Sequence, residues 1–595
     1  MLPVFPPSRE WLNRRFWFGI GPEDPAGAEH AVEKPRSGHP APPENTMRHP
    51  SRHRIIWHEV GHALQYMDFP ITPQNVLKKA VLPITRTQVD CLSWLAHTYL
   101  GGPYDMPRMW RDYLDPSPYE YVDPEGRPLG MFMEHARPDP DHYRDEGQRR
   151  RYGTAHELWK QGVDVVDLVA EASRRYGLDF TLAFRMNDYH HGSWEEHPRW
   201  WLEHREMTVG KGRQPEDSSP AAARRISGLD FTHPEVREHV IAPIIAAAEC
   251  YDVDGIDLDF SRSRPYFPPG EEKPECLTDL VRTVRERLSP VFRKRGREPR
   301  ILARIYERPT CDDAGMDWRT WMREGLIDAL SIGSMYGADY RDVVDVARQH
   351  NVEVYAGFDC IAFDLNDTKH FGRLEYFRAS CLNYYHQGVN GIFFFNGSAL
   401  WSGPYPGPVA RAMPHLMEVG DPDCLERRSK VYVTGWHVDH KPQLVWSSDP
   451  ERNPGGTTRL FEVSDNLQDS ADCGDLERLI LKAEFKLHTP WISELNEWHL
   501  IWSRLDTMEY LLNGQPIEPG PIEKDELTPY ALNGADINKN WSRVIRFDLT
   551  HGPLPVCGQN SFFVRVVEPD GQLVGPRDLL LGRVELHVDY GEPVK

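Results

Sequence analysis

The stretch YDVDGIDLDFSRSR, residues 251–264, has the alternation of a barrel strand that ends in polar groups. Side chains on a strand point alternately to the two faces of the sheet. One face here is polar and the other apolar, with Asp257, Asp259 and Ser261 opposite Ile256, Leu258 and Phe260. The apolar set suits packing under helices, so we predict a buried strand with two carboxylates that point into a barrel mouth.

Seven further stretches have the composition of strands, and segments of helical periodicity separate several of them. The eight predicted strands are RIIWHEV at 54, TQVDCLSWL at 87, DFTLAFRMND at 179, VDGIDLDF at 253, RILARIY at 300, DALSIGS at 328, VEVYAGFD at 352 and GIFFFN at 391. Eight strands with helical crossovers predict an α/β fold of the (β/α)8 TIM-barrel type. In that fold the active site forms where the strands end.

Polar residues collect at the predicted strand ends, which supports the barrel prediction. They are Asn187, Asp188, Asp257, Asp259, Glu307, Ser334, Asp359 and Asn396.

From about residue 425 the pattern changes to runs of period two with turn-rich gaps, such as LILKAEFKL, SRVIRFDL and GRVELHVDY. This pattern is typical of an antiparallel β-sandwich, and no helix is expected in it. We therefore predict a proline-rich, poorly ordered leader at residues 1–52, a barrel at 53–422 and a β-sandwich at 423–595, which we expect to brace the barrel.

Composition limits the partners. The formal net charge of −21 disfavours nucleic acid and anionic membranes as partners. Nine cysteines occur singly, which argues against a disulfide framework and favours a reducing compartment. The N-terminus lacks the apolar core of a secretory signal, and no apolar run approaches the length of a membrane span, so a cytoplasmic location is favoured. The oligomeric state stays open.

The motif H-E-x-x-H occurs at residues 58–62, within RIIWHEVGHALQ. On a helix, this spacing places two histidines one turn apart to hold zinc, with the glutamate as general base. The same run serves as barrel strand one, and the residues before it offer no sheet for a protease. We therefore expect His58 and Glu59 at a strand tip, facing substrate, and we keep a zinc-dependent hydrolase as an alternative.

The D-G-x-D-x-D pattern at residues 254–259 resembles the fourth-strand motif of glycoside hydrolase family 18, which ends D-x-D-x-E; Ser261 stands at the position of the closing glutamate. The wider layout is similar to glycoside-hydrolase-like (family 10-like) TIM-barrel proteins with a C-terminal β-sandwich. That likeness rests on FRMNDYHH at 184, LDFTHPEVREHV at 229, DGIDLDFSR at 254, MDWRTWMREGLIDALSIG at 316 and GRVELHVDY at 582. The resemblance implies action on a carbohydrate.

A glycosidase uses two carboxylates, about 5–5.5 Å apart for retention and about 6.5–9.5 Å apart for inversion. Our catalytic candidates are Asp257, Asp259, Glu307 and Asp359. We favour Asp259 as acid or base and Asp359 or Glu307 as its partner. Asp257 would tune the pKa of its neighbour, because two inward carboxylates disfavour each other's charge. The alternative is that these acids form ion pairs with Arg185, Arg262 or Arg304.

Further residues at or after strand ends are candidates for binding sugar, because arginine and amide groups recognise hydroxyls and carboxylates and aromatic rings stack on sugars. The predicted substrate-binding residues are His58, Glu59, Trp94, Arg185, Asn187, Asp188, His190, Arg262, Tyr306, Tyr336, Asn396 and Trp401. Asp188, His190 and His191 could also hold a metal, but we predict no metal site and no cofactor.

The sequence therefore predicts a glycoside hydrolase that cleaves an oligo- or polysaccharide. A noncatalytic carbohydrate-binding barrel is the second possibility, since Ser261 replaces an acid, and the zinc hydrolase is the third. The sugar and its linkage stay open.

Overall fold

The computed structural model describes the barrel and the sheets that follow it. The described residues are 53–65, 67, 70–96, 106–119, 121–122, 128–130, 154–187, 198–213, 226–262, 264–306, 311, 314–333, 336–360, 373–398, 409–434, 442–447, 449, 451–488, 505, 508–524, 542–567 and 578–591. The predicted leader at residues 1–52 lies outside them.

Eight parallel strands close into a barrel, and all eight were predicted from the sequence. They are β1 (Ile55–Glu59), β2 (Val89–Leu95), β3 (Asp179–Arg185), β4 (Gly255–Asp259), β5 (Arg300–Ile305), β6 (Ala329–Gly333), β7 (Glu353–Asp359) and β8 (Gly391–Phe395). The order around the barrel is β1-β8-β7-β6-β5-β4-β3-β2, so strands that follow each other in the chain are hydrogen-bonded neighbours.

Both faces of the barrel strands are buried, as is usual for parallel sheets. Outward-facing residues such as Ile256 and Leu258 of β4 pack in the main core beneath the helices. Inward-facing residues such as Tyr355 of β7 and Phe393 of β8 form a smaller cluster inside the barrel. The alternation in β4 therefore directs its two aspartates into the barrel, as predicted.

Helices connect the strands on the outside of the barrel. They are α1 (His62–Gln65), α2 (Pro73–Ala80), α3 (Pro107–Asp112), α4 (Thr154–Lys160), α5 (Val165–Arg175), α6 (Arg199–Glu203), α7 (Pro234–Cys250), α8 (Pro274–Arg293), α9 (Trp318–Arg323), α10 (Arg341–Gln349), α11 (Leu374–Gln387) and α12 (Val409–Glu418). Short 3₁₀ turns cover Leu82–Ile84, Ser117–Tyr119, Arg205–Met207 and Pro422–Cys424, and a small antiparallel pair joins Tyr121–Val122 to Pro128–Gly130. Among the described helices, none is both long enough and apolar enough to span a bilayer.

Local sequence signals explain where several helices begin and end. The side chain of Asp164 accepts a hydrogen bond from the amide of Asp167 and caps the start of α5. Helix α11 ends at Gly388, whose φ of 97° is the left-handed conformation that favours glycine. The helical pattern at residues 157–177 forms two helices rather than one, with Gly162 at a φ of 74° between them.

After the barrel, antiparallel strands form two sheets, in agreement with the predicted β-sandwich. The strands are β9 (Lys430–Thr434), β10 (Gln443–Ser447), β11 (Thr457–Val463), β12 (Leu476–His488), β13 (Glu509–Leu512), β14 (Gln515–Pro516), β15 (Ile522–Lys524), β16 (Ser542–Asp548), β17 (Gly558–Arg565) and β18 (Asp578–Tyr590). One sheet has the order β9-β18-β12-β16-β15 with β10 also on β18, and the other has the order β11-β17-β13-β14.

Among the described residues after the barrel, the helix α13 (Leu467–Cys473) interrupts these sheets, where the sequence pattern predicts no helix. The side chain of Asn466 caps its start, and Gly474 ends it at a φ of 76°. Both signals are present in the sequence, but the helix is short and the surrounding period-two runs dominate the pattern.

Helix α11 connects the barrel to the sandwich. The Tyr376 hydroxyl donates to Glu585 of β18 at 2.9 Å. Ser464, after β11, donates to Asn383 at 2.6 Å. Ala379 of the same helix packs in the core of the sandwich. Helix α11 therefore contacts the sandwich directly, and the bracing role of the sandwich stays a prediction.

Candidate active site

Polar side chains from several strands meet at the carboxyl end of the barrel. Because all eight strands are parallel, their carboxyl ends form a single rim. Because side chains alternate between the two faces of a strand, the last inward-facing side chain of each strand points into this rim. The described residues at these positions include His58 of β1, Arg185 of β3, Asp259 of β4, Arg304 of β5 and Asp359 of β7.

Asp259 is held by donors from two sides. Arg304 Nη1 donates to both carboxylate oxygens of Asp259, at 3.1 and 3.2 Å. The amide and the hydroxyl of Ser261 donate to Asp259 Oδ1 at 3.0 and 2.7 Å. Asp259 is only 1% exposed, so a negative charge there is balanced by the guanidinium rather than by water. Of the ion pairs that the sequence left open, the structure contains the one with Arg304.

Asp257 lies one layer deeper in the barrel than Asp259. Its Oδ2 accepts hydrogen bonds from the hydroxyl of Ser93 and, at 3.0 Å, from that of Thr181. Burial raises the pKa of Asp257 to about 6, and the two hydroxyl donors partly offset that effect. Asp257 therefore keeps its proton in mildly acidic solution.

Asp359 ends β7 on the inward face that also carries Tyr355 and Gly357. The side-chain amide of Asn396, directly after β8, donates to Asp359 Oδ1 at 2.8 Å. Asn396 is buried and has a φ of 56°, which asparagine tolerates better than most residues. The structure thus joins two predicted residues, Asp359 and Asn396, at the rim. Three steps around the barrel separate β7 from β4, the strand of Asp259.

Aromatic packing fixes Arg304 and His58 at the rim. The Cζ of Arg304 lies 3.4 Å from the centroid of the Phe395 ring. The buried ring of His58 also stacks on Phe395, with centroids 5.0 Å apart and planes 24° from parallel. Phe395 is a residue that the sequence analysis did not select, although its position at the end of GIFFF signals a rim residue.

The H-E-x-x-H motif does not lie on one helix. His58 and Glu59 are the last residues of β1, and helix α1 begins at His62. Glu59 Oε1 accepts hydrogen bonds from the amides of Gly61 and Ala63, at 2.8 and 3.2 Å, so this side chain stabilises the turn into α1. The helical spacing on which the zinc alternative depends is absent. Within the described parts of the chain, no cluster of three His, Cys, Asp or Glu side chains could hold a metal ion.

Three residues predicted to bind substrate lie in the core instead. Trp94 is next to inward-facing Ser93 on β2, so it points outward and packs beneath the helices. Tyr336 is covered by aromatic rings, among them that of Phe377. Asn187 donates to the carbonyl of Pro265 at 3.1 Å and accepts from a loop amide at 3.3 Å. The placement of these three residues does not support a role in binding substrate, because Trp94 points away from the inside of the barrel and the side chains of Tyr336 and Asn187 contact other parts of the protein.

Other predicted residues remain candidates or lie outside the described parts. Arg185 ends β3 beside Asp259, and Arg262 follows β4; both are half-buried. Tyr306 follows β5, with the guanidinium of Arg264 5.0 Å from its ring centroid, and burial raises its pKa to about 12. The predicted residues outside the described parts are Asp188, His190, His191, Glu307, Ser334 and Trp401.

No family model matches the sequence, and no curated protein matches it. Similar solved structures include α-L-fucosidase isoenzyme 2 from Paenibacillus thiaminolyticus, at 12% identity and a TM-score of 0.36, covering 62% of this chain and 49% of the fucosidase chain. The PgaB (BpsB) glycoside hydrolase domain from Bordetella bronchiseptica has 13% identity and a TM-score of 0.37, covering 62% of this chain and 99% of that domain. A glycoside hydrolase family 18 N-acetylglucosaminidase from Paenibacillus barengoltzii has 10% identity and a TM-score of 0.32, with coverages of 62% and 99%. Similarities at these scores carry no argument about activity, and they do not confirm the family 10-like resemblance.

Proposed function

We propose that this chain is a glycoside hydrolase that cleaves O-glycosidic bonds of an oligo- or polysaccharide at the carboxyl end of its barrel. One observation carries the proposal: two strands, β4 and β7, each end in an inward-facing aspartate, Asp259 and Asp359, on the same rim. Hydrolysis of a glycosidic bond needs two carboxyl groups on opposite sides of the bond. Carboxylates on separate strands of one rim suit that requirement.

In this proposal Asp259 works as the ionised carboxylate, either as nucleophile or as base for water. Its charge is balanced by Arg304 at 3.1 Å, which keeps the side chain in one orientation. Asp359 is the partner that protonates the leaving oxygen, and the amide of Asn396 orients it. Glu307 remains an alternative partner from the loop after β5. The stereochemical outcome depends on the separation of the two reacting carboxyl groups.

Asp257 contributes from below in this scheme. The raised pKa of about 6 keeps Asp257 protonated in mildly acidic solution. In that state it adds no second negative charge beneath Asp259. Above that pH its ionisation opposes the charge on Asp259. We therefore expect activity that declines as the pH rises through about 6, even where the acid and base roles of the other groups are unchanged.

A noncatalytic carbohydrate-binding barrel is the second candidate, and one observation favours it. Asp259 is 1% exposed and already accepts hydrogen bonds from Arg304 and Ser261, as a structural carboxylate would. The two candidates differ in whether a bound glycan is cleaved.

The experiment is release of reducing ends from a broad panel of plant, algal and microbial glycans that includes acidic ones. Wild type, Asp259→Asn, Asp359→Asn and the control Asp279→Asn are compared, each with and without EDTA. Asp279 is an exposed aspartate on α8. Thermal unfolding of each variant separates lost chemistry from lost folding.

We expect Asp259→Asn and Asp359→Asn each to lower the release rate by about a hundredfold or more, the usual contribution of a positioned acid or base. The control and the EDTA samples should keep the wild-type rate. Release that persists in both active-site variants contradicts the assigned carboxylates. Binding of a glycan without any release identifies the noncatalytic barrel, and release abolished by EDTA restores the zinc alternative.

A further inference from the structure

Arg304 is fixed in position but its hydrogen-bonding capacity is only partly used. Arg304 is 7% exposed, and the ring of Phe395 covers one face of its guanidinium. Nη1 donates its hydrogen bonds to the carboxylate of Asp259. Nε of Arg304 is buried and has no hydrogen-bond partner in the described parts of the chain. The guanidinium therefore keeps one edge, formed by Nε and Nη2, for a further acceptor.

A second buried donor lies on the neighbouring strand. Ser331 of β6 is the register partner of Arg304 of β5, so both side chains point into the barrel in the same layer. Ser331 is fully buried, and its hydroxyl also has no hydrogen-bond partner among the residues that the structure describes. More than nine in ten buried polar groups in proteins have a partner. Two such groups on paired residues of neighbouring strands point to a place where something else binds.

A glycine of β6 lies beside Nη2 of Arg304. A Cβ on Gly333, the last residue of β6, would lie at the ordinary contact distance of 3.7 Å from both Nη2 of Arg304 and the carbonyl oxygen of Ile305. Gly357 of β7 is the register partner of Gly333, so two adjacent strands carry no side chain in the layer above Ser331. Gly357 itself is required for close packing, because a Cβ there would lie 2.6 Å from the carbonyl oxygen of Ile332. Neither β6 nor β7 therefore carries a side chain in this layer beside Nη2 of Arg304.

We propose that the Nε–Nη2 edge of Arg304 and the hydroxyl of Ser331, next to Gly333, bind the carboxylate of an acidic sugar, so that the substrate contains a uronic acid unit. This inference rests on the proposed function of the rim as a sugar site. The Nε–Nη2 edge of a guanidinium matches the two oxygens of a planar carboxylate, and the serine hydroxyl adds a third donor.

The charge around the rim agrees with an anionic ligand. Arg185 ends β3 as the register partner of Asp259, and Arg262 and Arg264 lie in the loop after β4, the guanidinium of Arg264 over the ring of Tyr306. The chain as a whole carries a formal charge of −21, so its general field repels anions. Selection of an acidic sugar therefore needs a local group of fixed positive charges, which these arginines supply.

The test is a binding measurement by calorimetry, which does not depend on turnover. The probes are short oligosaccharides of galacturonate, glucuronate and mannuronate–guluronate, their carboxyl-reduced neutral forms, and a sulfated neutral oligosaccharide. The protein samples are wild type, Arg304→Gln, Ser331→Ala, Gly333→Val and the control Gly591→Val. Gly591 follows β18, and among the described residues, apart from its neighbours in the chain, no atom lies within 4 Å of a Cβ added there.

We expect at least one uronate probe to bind about tenfold or more tightly than its carboxyl-reduced form, as a charge-assisted pair of hydrogen bonds would give. Arg304→Gln and Gly333→Val should abolish that preference, Ser331→Ala should reduce it severalfold, and the control should keep it. Ser331→Ala removes no hydrogen bond seen in the structure, so it tests the site even where Arg304→Gln fails to fold.

Equal binding of acidic and reduced forms overturns the inference, as does a preference that survives in both Ser331→Ala and Gly333→Val. Tighter binding of the sulfated probe than of every uronate overturns the assignment to a carboxylate. A uronate preference without any cleavage leaves the inference standing and removes only the hydrolase proposal. Cleavage of neutral glycans without any preference for uronates leaves the hydrolase proposal standing and overturns this inference.

Discussion

Replacing Asp257 by asparagine should make the stability of the protein less dependent on pH. Asp257 is 3% exposed inside the barrel, and burial raises its pKa from 3.8 to about 6. Asparagine has nearly the same shape and is neutral at every pH. It can still accept a hydrogen bond from one of the two hydroxyls, Ser93 or Thr181, and donate to the other.

The sign and size of the effect follow from proton linkage. Below about pH 4 both the folded and the unfolded state hold the proton on residue 257. Between pH 4 and 6 the unfolded state releases it while the folded state keeps it, so the wild type loses stability as the pH rises. Above pH 6 both states are ionised, and the accumulated loss is about 3 kcal/mol, from about 1.4 kcal/mol per pH unit between the two pKa values.

The assay is the free energy of unfolding by urea for wild type and Asp257→Asn at several pH values between 4 and 8. We expect the variant to gain about 3 kcal/mol relative to wild type across this range, with most of the change between pH 4 and 6. Other titrating groups are common to both proteins and cancel in the difference. The control Asp279→Asn removes one exposed charge and should show no such gain. A difference between wild type and Asp257→Asn that is constant with pH refutes the reasoning.

Further changes test separate features of the structure. Gly357→Ala should lower the free energy of unfolding by about 1–3 kcal/mol, because the new Cβ would lie 2.6 Å from a strand carbonyl. The control Gly591→Ala should leave it unchanged. An unchanged melting temperature for Gly357→Ala contradicts the close approach of β6 and β7. Glu59→Ala should cost about 1 kcal/mol in thermal or urea unfolding, because two amides at the start of α1 lose their acceptor; equal stability would show that this side chain caps nothing. Treatment with EDTA should leave the melting temperature unchanged, because His58 lies on a strand rather than on the helix that a zinc motif requires; a fall would show a bound metal.

The barrel could be predicted because its strands carry strong local signals. In DGIDLDF the polar and apolar residues alternate, so the inward direction of Asp257 and Asp259 follows from period two alone. VEVYAGFD gives the same information for Asp359. The parallel order of the strands then brings Asp259 and Asp359 to one end of the barrel, with Asp257 one layer deeper.

The direction in which a side chain points was harder to predict where both faces of a strand are apolar. In VDCLSWL of β2, the sequence does not say which face is inward, and Trp94 points outward under the helices. Tyr336 lies beyond the end of β6, where no periodicity defines its direction, and it packs in the core. The position of an aromatic residue near a strand end is therefore weaker evidence for contact with substrate than the alternation of polar and apolar residues.

The partner of each rim residue depends on contacts between strands that no local pattern encodes. Arg300, Leu302 and Arg304 share a face in RILARI, so the inward direction of Arg304 was predictable. Its choice of Asp259, rather than another carboxylate, is set by the register of β4 against β5. The unused edge of Arg304 beside Ser331 likewise depends on the register of β5 and β6.

The measurement that tests the central claim most directly is the rate of reducing-end release from the uronate-containing glycans by wild type and by Asp359→Asn, at equal concentrations of folded protein. The account predicts release by the wild type and a rate lower by about a hundredfold or more in the variant. Equal rates for the two proteins, or no release from any glycan that binds, would contradict it.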